Sequence, residues 1–442
     1  MFWLRDLFGR PAAFVGPILV ILGVWVVSKV LVGSEAAALA LVVGVLVLLL
    51  SVYRDAYVPA LLFVVCSGLP IFYYAMGLGK LPIFTYVFGL PVLVALGKLL
   101  SEKQAVSWRP ILAIVAYVLW ICCSAAYHGI SILEYKAYFV PLFIAIYVVL
   151  RCQAATRRLL YSRLSGTVVI IGVINGIVAV LQSLDIDVAM DIVETKYLFG
   201  DTLRVHGLME HPTIMGAYFA MAFCVSLGYV FEARGALKKA AAYLASITIS
   251  AGLLCVMSRG AILGAVAGAV VFTMAISARN SARIPRLILV AAGLVFVFHF
   301  LVPEGVLSEY IIASDSSTQA RMPLNRVAID FFLANPVFGI GIGKFSTEAA
   351  KYMGWEVEAH NTYLGVLAEY GLPGFVLFLT IIWMSGKRYL KSLRATGAYE
   401  VSVPMMAGFF GGLAALLVDG AFHSFEYSYM LWFMISVGAA YE

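Results

Sequence analysis

Three side chains combine a reactive type with a setting in which that type has work to do. Arg204 stands in DTLRVHGLMEHPTIMGAY just ahead of an apolar run, Arg259 stands in VMSRGAILG where two apolar runs meet, and His360 opens a further run in EAHNTYLGVLAEYGLPGFVLF. A guanidinium at such a boundary is costly without an anionic partner, and its forked donors match phosphate oxygens. Two of them suit a lipid diphosphate, first as a bound group and then as a departing one. A neutral imidazole at a helix N-terminus, where the dipole disfavours its charged form, can take a proton from a hydroxyl. Each group also has a plainer use: the arginines snorkel or pair with Asp201 or Glu210, and the imidazole satisfies a polar interface.

Other polar residues inside or beside apolar runs read as structural. Gly339, Gly341 and Gly343 in NPVFGIGIGKF let backbone approach something closely, but no strand precedes them as a nucleotide-binding loop requires. Glu369 lies nine residues beyond His360, about half a turn out of phase at ~100° per residue, so it reads as a hydrogen-bonding partner rather than a second catalytic group. Glu134 and Lys136, two apart, face different sides of a helix and receive no site. The six histidines (His128, His206, His211, His299, His360, His423) lack tight ligand spacing, and the six cysteines fall in or beside apolar runs, so neither a metal site nor a disulfide framework is expected. No cytoplasmic carboxylate pair of the kind that holds a sugar nucleotide through a metal stands out, so a sugar donor would be lipid-linked.

The elements that must position these groups are membrane helices. The chain is 63% hydrophobic and 12% charged, against about 25% charged in soluble domains. Its apolar runs have bilayer-crossing length without the alternation of barrel strands. Fourteen spans are expected, near 12–32, 36–52, 58–77, 81–98, 109–126, 131–150, 165–186, 213–233, 240–257, 260–278, 286–302, 361–384, 402–420 and 427–441. The first is read as retained rather than cleaved. With the N-terminus inside, most of the 30 lysines and arginines fall in inner loops, and every inner loop is basic. One integral membrane domain over 1–442 results, with two outer loops long enough to carry function, 184–212 and 302–360. Within the larger loop, Ser317 to Leu333 puts Leu324, Ala328 and Phe331 near one helical face, as in a helix lying on the membrane surface or packed against the bundle.

The blocks RVHGLMEHPTIMGAY, SRGAILG, NPVFGIGIGKF and EAHNTYLGVLAEYGLPG together resemble the bacterial O-antigen ligase and polymerase superfamily across about residues 200 to 375, the last block most specifically. That resemblance implies an all-α, GT-C-like polytopic bundle of about 12–14 spans with a large periplasmic loop, in the bacterial inner membrane with its N-terminus cytoplasmic. It implies an inverting glycosyltransferase that needs no metal, cofactor or nucleotide sugar and takes an undecaprenyl diphosphate-linked glycan as donor. Arg204 and Arg259 match the diphosphate-binding arginines, His360 matches the histidine that activates the acceptor, and Arg326 matches as an additional substrate contact. A polymerase extends another lipid-linked oligosaccharide, whereas a ligase delivers the glycan to lipid A core. Fourteen spans, against the twelve typical of ligases, tilt the expectation toward a polymerase. Other polysaccharide assembly proteins are conceivable partners, and nucleic acid is not. A transporter or flippase is the competing class, and it should place its polar groups near the midplane. A non-catalytic partner of an assembly machine is a third reading.

Overall fold

Long apolar sequences with no water to satisfy their backbone must close every hydrogen bond internally, which is what a helix does. A computed structural model describes residues 108–130, 157–186, 188, 198–199, 202–209, 211–277, 321–394 and 402–439. Ten helices are found among them. They are α1 (Trp108–Tyr127), α2 (Arg157–Ser183), α3 (Pro212–Glu232), α4 (Ala236–Cys255), α5 (Arg259–Ser277), α6 (321–334), α7 (Phe345–Met353), α8 (Thr362–Arg394), α9 (Val403–Asp419) and α10 (Tyr429–Ala439). A hairpin of two two-residue strands, β1 (Leu198–Phe199) with β2 (Thr202–Leu203), is the one extended pairing among the described residues, and no pattern of residue types marks it.

The helices fall where the apolar runs predict them. Five are long and apolar enough to cross a membrane: Arg109–Tyr127, Tyr161–Ser183, Pro212–Glu232, Arg259–Ser277 and Thr362–Arg394. The all-α, polytopic helical reading therefore holds. The spans expected near 12–32, 36–52, 58–77, 81–98, 131–150 and 286–302 lie outside the described residues.

Helix α3 is the axis of the bundle, 89% of its apolar window being enclosed. Its main partner is α9, which also runs along α5. Small residues make this contact possible: Gly264 and Gly268 of α5 lie against the backbones of Ala415 and Gly411, and Gly408 lies against Cys224 and Val225 of α3. Backbones that approach so closely gain packing contacts, the main attraction between helices in lipid.

Helix α8 is broken. Gly371 adopts φ 67°, ψ −172° inside it, two residues before Pro373. The polar groups freed at the break are answered by the NPVFGIGIGKF loop and by α1. Ile340 N–H donates to Ala368 O (2.9 Å), Gly341 N–H to Glu369 O (3.0 Å) and Leu372 N–H to Pro336 O (2.8 Å), while Trp120 Nε1 donates to Tyr370 O (2.8 Å). The glycine-rich loop thus approaches helix backbone, and it is the partner of a discontinuous membrane helix. Glu369 is buried as a hydrogen-bonding group: Phe345 N–H donates to its Oε1 (3.1 Å) and the Tyr427 hydroxyl to its Oε2 (2.7 Å).

Helix α6 buries Leu324, Ala328 and Phe331, the face singled out in the sequence, and Ala328 and Phe331 pack in a small core with Phe345, Ala349, Ala359 and Ala368. That face is packed against protein. Met322, Ile329 and Leu333 form the exposed side.

At Gly371 a Cβ would collide with the Val337 carbonyl, and φ lies where L-residues are strained. Replacing Gly371 with Ala is expected to cost at least ~2 kcal/mol and to lower the thermal midpoint in detergent by several degrees. Gly386, in the same helix with nothing near it, should tolerate Ala without loss; equal melting of the two variants would contradict the account of the break.

Candidate functional site

The segment carrying Arg204 is tied to α2 by two buried amides. Gln182 Oε1 accepts from the backbone N–H groups of His206 (3.3 Å) and Gly207 (2.9 Å), its Nε2 donates to Gly207 O (3.0 Å), and Asn175 Oδ1 accepts from Leu208 N–H (2.9 Å). Amides this deep in an apolar helix are costly unless their hydrogen bonds are made, so they fix the loop firmly. Arg204 then reaches across to the α4–α5 turn, with a long contact of 3.5 Å from Nη2 to Val256 O. Three residues on from Val256, Arg259 is the first residue of α5.

Three helices begin at this end of the bundle. His211 caps α3, its Nδ1 accepting from Thr213 N–H (3.1 Å) and meeting the Thr213 hydroxyl at 2.6 Å. Ser258 O accepts from Ile262 N–H (3.0 Å) at the start of α5. Asn361 caps α8, its Oδ1 accepting from Tyr363 N–H (3.0 Å) and Leu364 N–H (3.1 Å). Two L-residues with positive φ precede these starts, Met257 (54°) and His360 (49°). Such conformers cost energy, and they cluster at functional sites. The positive ends of three helix dipoles meet here and favour an anion.

The three starts pack on one another and on the end of α9. Gly216 of α3 lies against Ser258 and Ala261, and Gly260 of α5 lies against Asp419, Phe422 and His423. Thr362 N–H donates to Gly420 O (2.8 Å) and His423 O (3.0 Å), its hydroxyl donates to His423 O (2.7 Å), and Phe425 N–H donates to that hydroxyl (2.7 Å).

The charges at this end act on one another. Burial lowers the pKa of His211 to about 4, and the charges of Arg204, His423, His360 and His206 push in the same direction. His360 is likewise held below the ordinary histidine range, first by burial, then by Arg321 and His423, with Glu358 opposing. The direction is the one the sequence implied, but burial rather than a helix dipole leads. His206 is lowered too, by burial. The Arg321 guanidinium is pushed down by burial and by Arg259, with Asp419 pulling the other way.

Arg204, Arg259 and His360 therefore come together at one end of the bundle. Arg326 is exposed on α6, and Arg321, at the start of that helix, is the arginine whose charge reaches His360 and Arg259. Sequence reasoning gave no role to Arg321, His211, His423 or Asp419. Their signal was faint: a basic residue opening a loop helix, and an Asp and a His four apart at the end of a short apolar run. Asp201 and Glu210, the acids considered as partners for Arg204, lie outside the described residues. Among the described residues, no three of His, Cys, Asp and Glu gather as metal ligands. Chemically, this end can hold a multiply charged anion on guanidinium groups and helix N-termini, beside imidazoles kept neutral and so able to accept a proton.

Residues 244–379 match the family model described as O-antigen ligase, so this stretch of the chain is similar to that family. No curated protein matches the chain. The matched stretch contains Arg259, Arg321, Arg326 and His360, while Arg204 precedes it and Asp419 and His423 follow it.

Depressed histidine pKa values set a direction for stability. The unfolded chain takes up a proton at His211 near pH 6.5, which the folded chain resists until about pH 4. Stability is thus full above about pH 6.5 and falls as pH drops through that window. Thermal midpoints measured from pH 7.5 to 4.5 should decline for the wild type and decline less for His211→Asn, which keeps a capping side chain that does not titrate; parallel declines would show that His211 contributes nothing.

Proposed function

We propose, from that similarity over residues 244–379 and from the geometry of the site, that this multi-pass membrane protein transfers a glycan from a polyprenyl diphosphate carrier, undecaprenyl diphosphate in bacteria, to a hydroxyl on a growing cell-surface polysaccharide or its lipid anchor. The observation that carries the reading is the meeting of Arg204, Arg259 and Arg321 with neutral imidazoles where α3, α5 and α8 begin. The arginines hold the diphosphate. Their field then stabilises the negative charge that grows on it as the glycosidic bond breaks, so the leaving group departs without being protonated. His360 takes the acceptor's proton as the acceptor oxygen attacks the anomeric carbon from the face opposite the diphosphate, which inverts that carbon. No metal step is required, because guanidinium groups supply the positive field. Arg326, on the exposed side of α6, is assigned a peripheral contact with substrate.

Charge gives the orientation of this proposal. Arg234, Lys238, Lys239, Lys387, Lys391 and Arg394 lie at the opposite ends of the same helices, and the positive-inside rule assigns that end to the cytoplasm. The transfer site then faces outward, on the periplasmic side of the inner membrane, served by the segments 184–212 and 302–360. Clustering at one end favours surface chemistry over a carrier, whose polar groups would sit near the midplane. The acceptor separates a polymerase from a ligase: a longer lipid-linked glycan in the first case, a glycan on lipid A core in the second.

Purified protein with a lipid-linked oligosaccharide and each acceptor tests the assignment. His360→Ala should reduce transfer by a hundredfold or more, on the order seen for loss of a general base, while binding of the lipid diphosphate stays within about twofold. Arg204→Ala or Arg259→Ala should weaken both. Wild-type transfer in His360→Ala would refute its role, and transport without a glycosylated product would replace the enzyme with a carrier.

A further inference from the structure

The end of α9 holds a carboxylate–imidazole pair that the scheme above does not use. Asp419 Oδ1 lies 2.7 Å from His423 Nδ1, with both side chains buried. A carboxylate in this position fixes the tautomer: Nδ1–H donates to it, and the lone pair of the neutral ring is left on Nε2. The buried Asp419 Oδ2 has no hydrogen-bond partner among the described residues. A buried carboxylate oxygen without a partner is expensive, which argues against packing as the pair's sole purpose.

The pair also adjoins the reacting groups. Gly260, next to Arg259, lies against both Asp419 and His423, and a side chain there would displace them. Thr362, two residues after His360, is bonded twice to the His423 carbonyl. The groups that face this region are Arg204, His206 and His211 from the first loop, Arg259 from α5, Arg321 from α6, Glu358 and His360 ahead of α8, and Glu426 beside Gly365. Near the arginines a new positive charge on His360 is unfavourable, and Asp419 is the carboxylate joined directly to a second imidazole.

We propose that the Asp419–His423 pair receives the proton that His360 removes from the acceptor. This inference rests on the transferase reading. As the acceptor oxygen bonds to the anomeric carbon, the bond from that carbon to the diphosphate breaks with its electrons on the diphosphate, and the hydroxyl proton moves to His360. From His360 a proton passes to Nε2 of His423, whose Nδ1–H remains on Asp419, and His360 is restored as a base. The proton returns to solvent after the products leave. His423 is a relay, and Asp419 positions it.

Asp419→Asn and His423→Gln in the purified full-length protein, compared with wild type and His360→Ala, provide the test. Each should lower kcat by tenfold or more, on the order of a proton-transfer contribution, while KM for the lipid-linked donor and the thermal midpoint change little. Removing a negative charge near the arginines should, if anything, strengthen binding of undecaprenyl diphosphate measured without acceptor. Wild-type kcat in both variants overturns the relay, as does a parallel loss of kcat, donor binding and thermal midpoint, which marks a structural pair. Failure of the transferase reading is distinct, because wild-type protein would then form no glycosylated product.

Discussion

Several arginines gathered where helices leave an apolar bundle repel one another and resist loss of water, so the structure around them must answer positive charge and supply an anion with donors at once. Most of what surrounds the site follows from that constraint. Amides at positions 175 and 182 in α2 hold the first loop, so Arg204 is carried on fixed backbone. The α4–α5 turn is tight enough to put Arg259 at the first helical position beside it. Burial first, with the neighbouring charges adding to it at His211 and His360, holds these two imidazoles below the ordinary histidine range, and His211 caps a helix through a nitrogen that must be unprotonated to accept.

Helix α8 links this chemistry to the depth of the membrane. His360 stands just ahead of its start, and its interior is interrupted at Gly371, eleven residues beyond His360, where the glycine-rich loop and Trp120 take up the freed backbone groups. Irregular backbone at membrane depth is tolerated only when protein satisfies it. Ser124 Oγ donates to Phe338 O (2.7 Å) and His128 Nε2 to Gly339 O (2.8 Å), so α1 braces the same loop from the other side. The loop, α1 and α8 form one hydrogen-bonded unit, at the head of which His360 stands.

The helices were legible in the sequence because one property, unbroken apolar length, determines them. Runs near 213–233, 260–278 and 402–420 reappear as Pro212–Glu232, Arg259–Ser277 and Val403–Asp419. Arg204, Arg259 and His360 were legible because charge and imidazole stand out where apolar runs end. The partners that make them a site were not. Asn175 and Gln182 are unremarked polar residues inside an apolar run, Asp419 and His423 matter only once α9 meets α5, and Arg321 rather than Arg326 faces inward because of how α6 docks. Tertiary contact supplies that information, and periodicity carries none of it. The hairpin of two two-residue strands before Arg204 is too short to leave a pattern at all.

Convergence of the arginines and imidazoles around one diphosphate is the claim on which the account stands, and photo-crosslinking reads it directly. A prenyl diphosphate with a photoreactive group next to its phosphates, irradiated with the purified protein and mapped by mass spectrometry, should label residues within 204–211, 256–261, 321–326, 358–362 and 419–423. Labelling confined to the opposite end of the bundle, around 234–239 and 387–394, would contradict it.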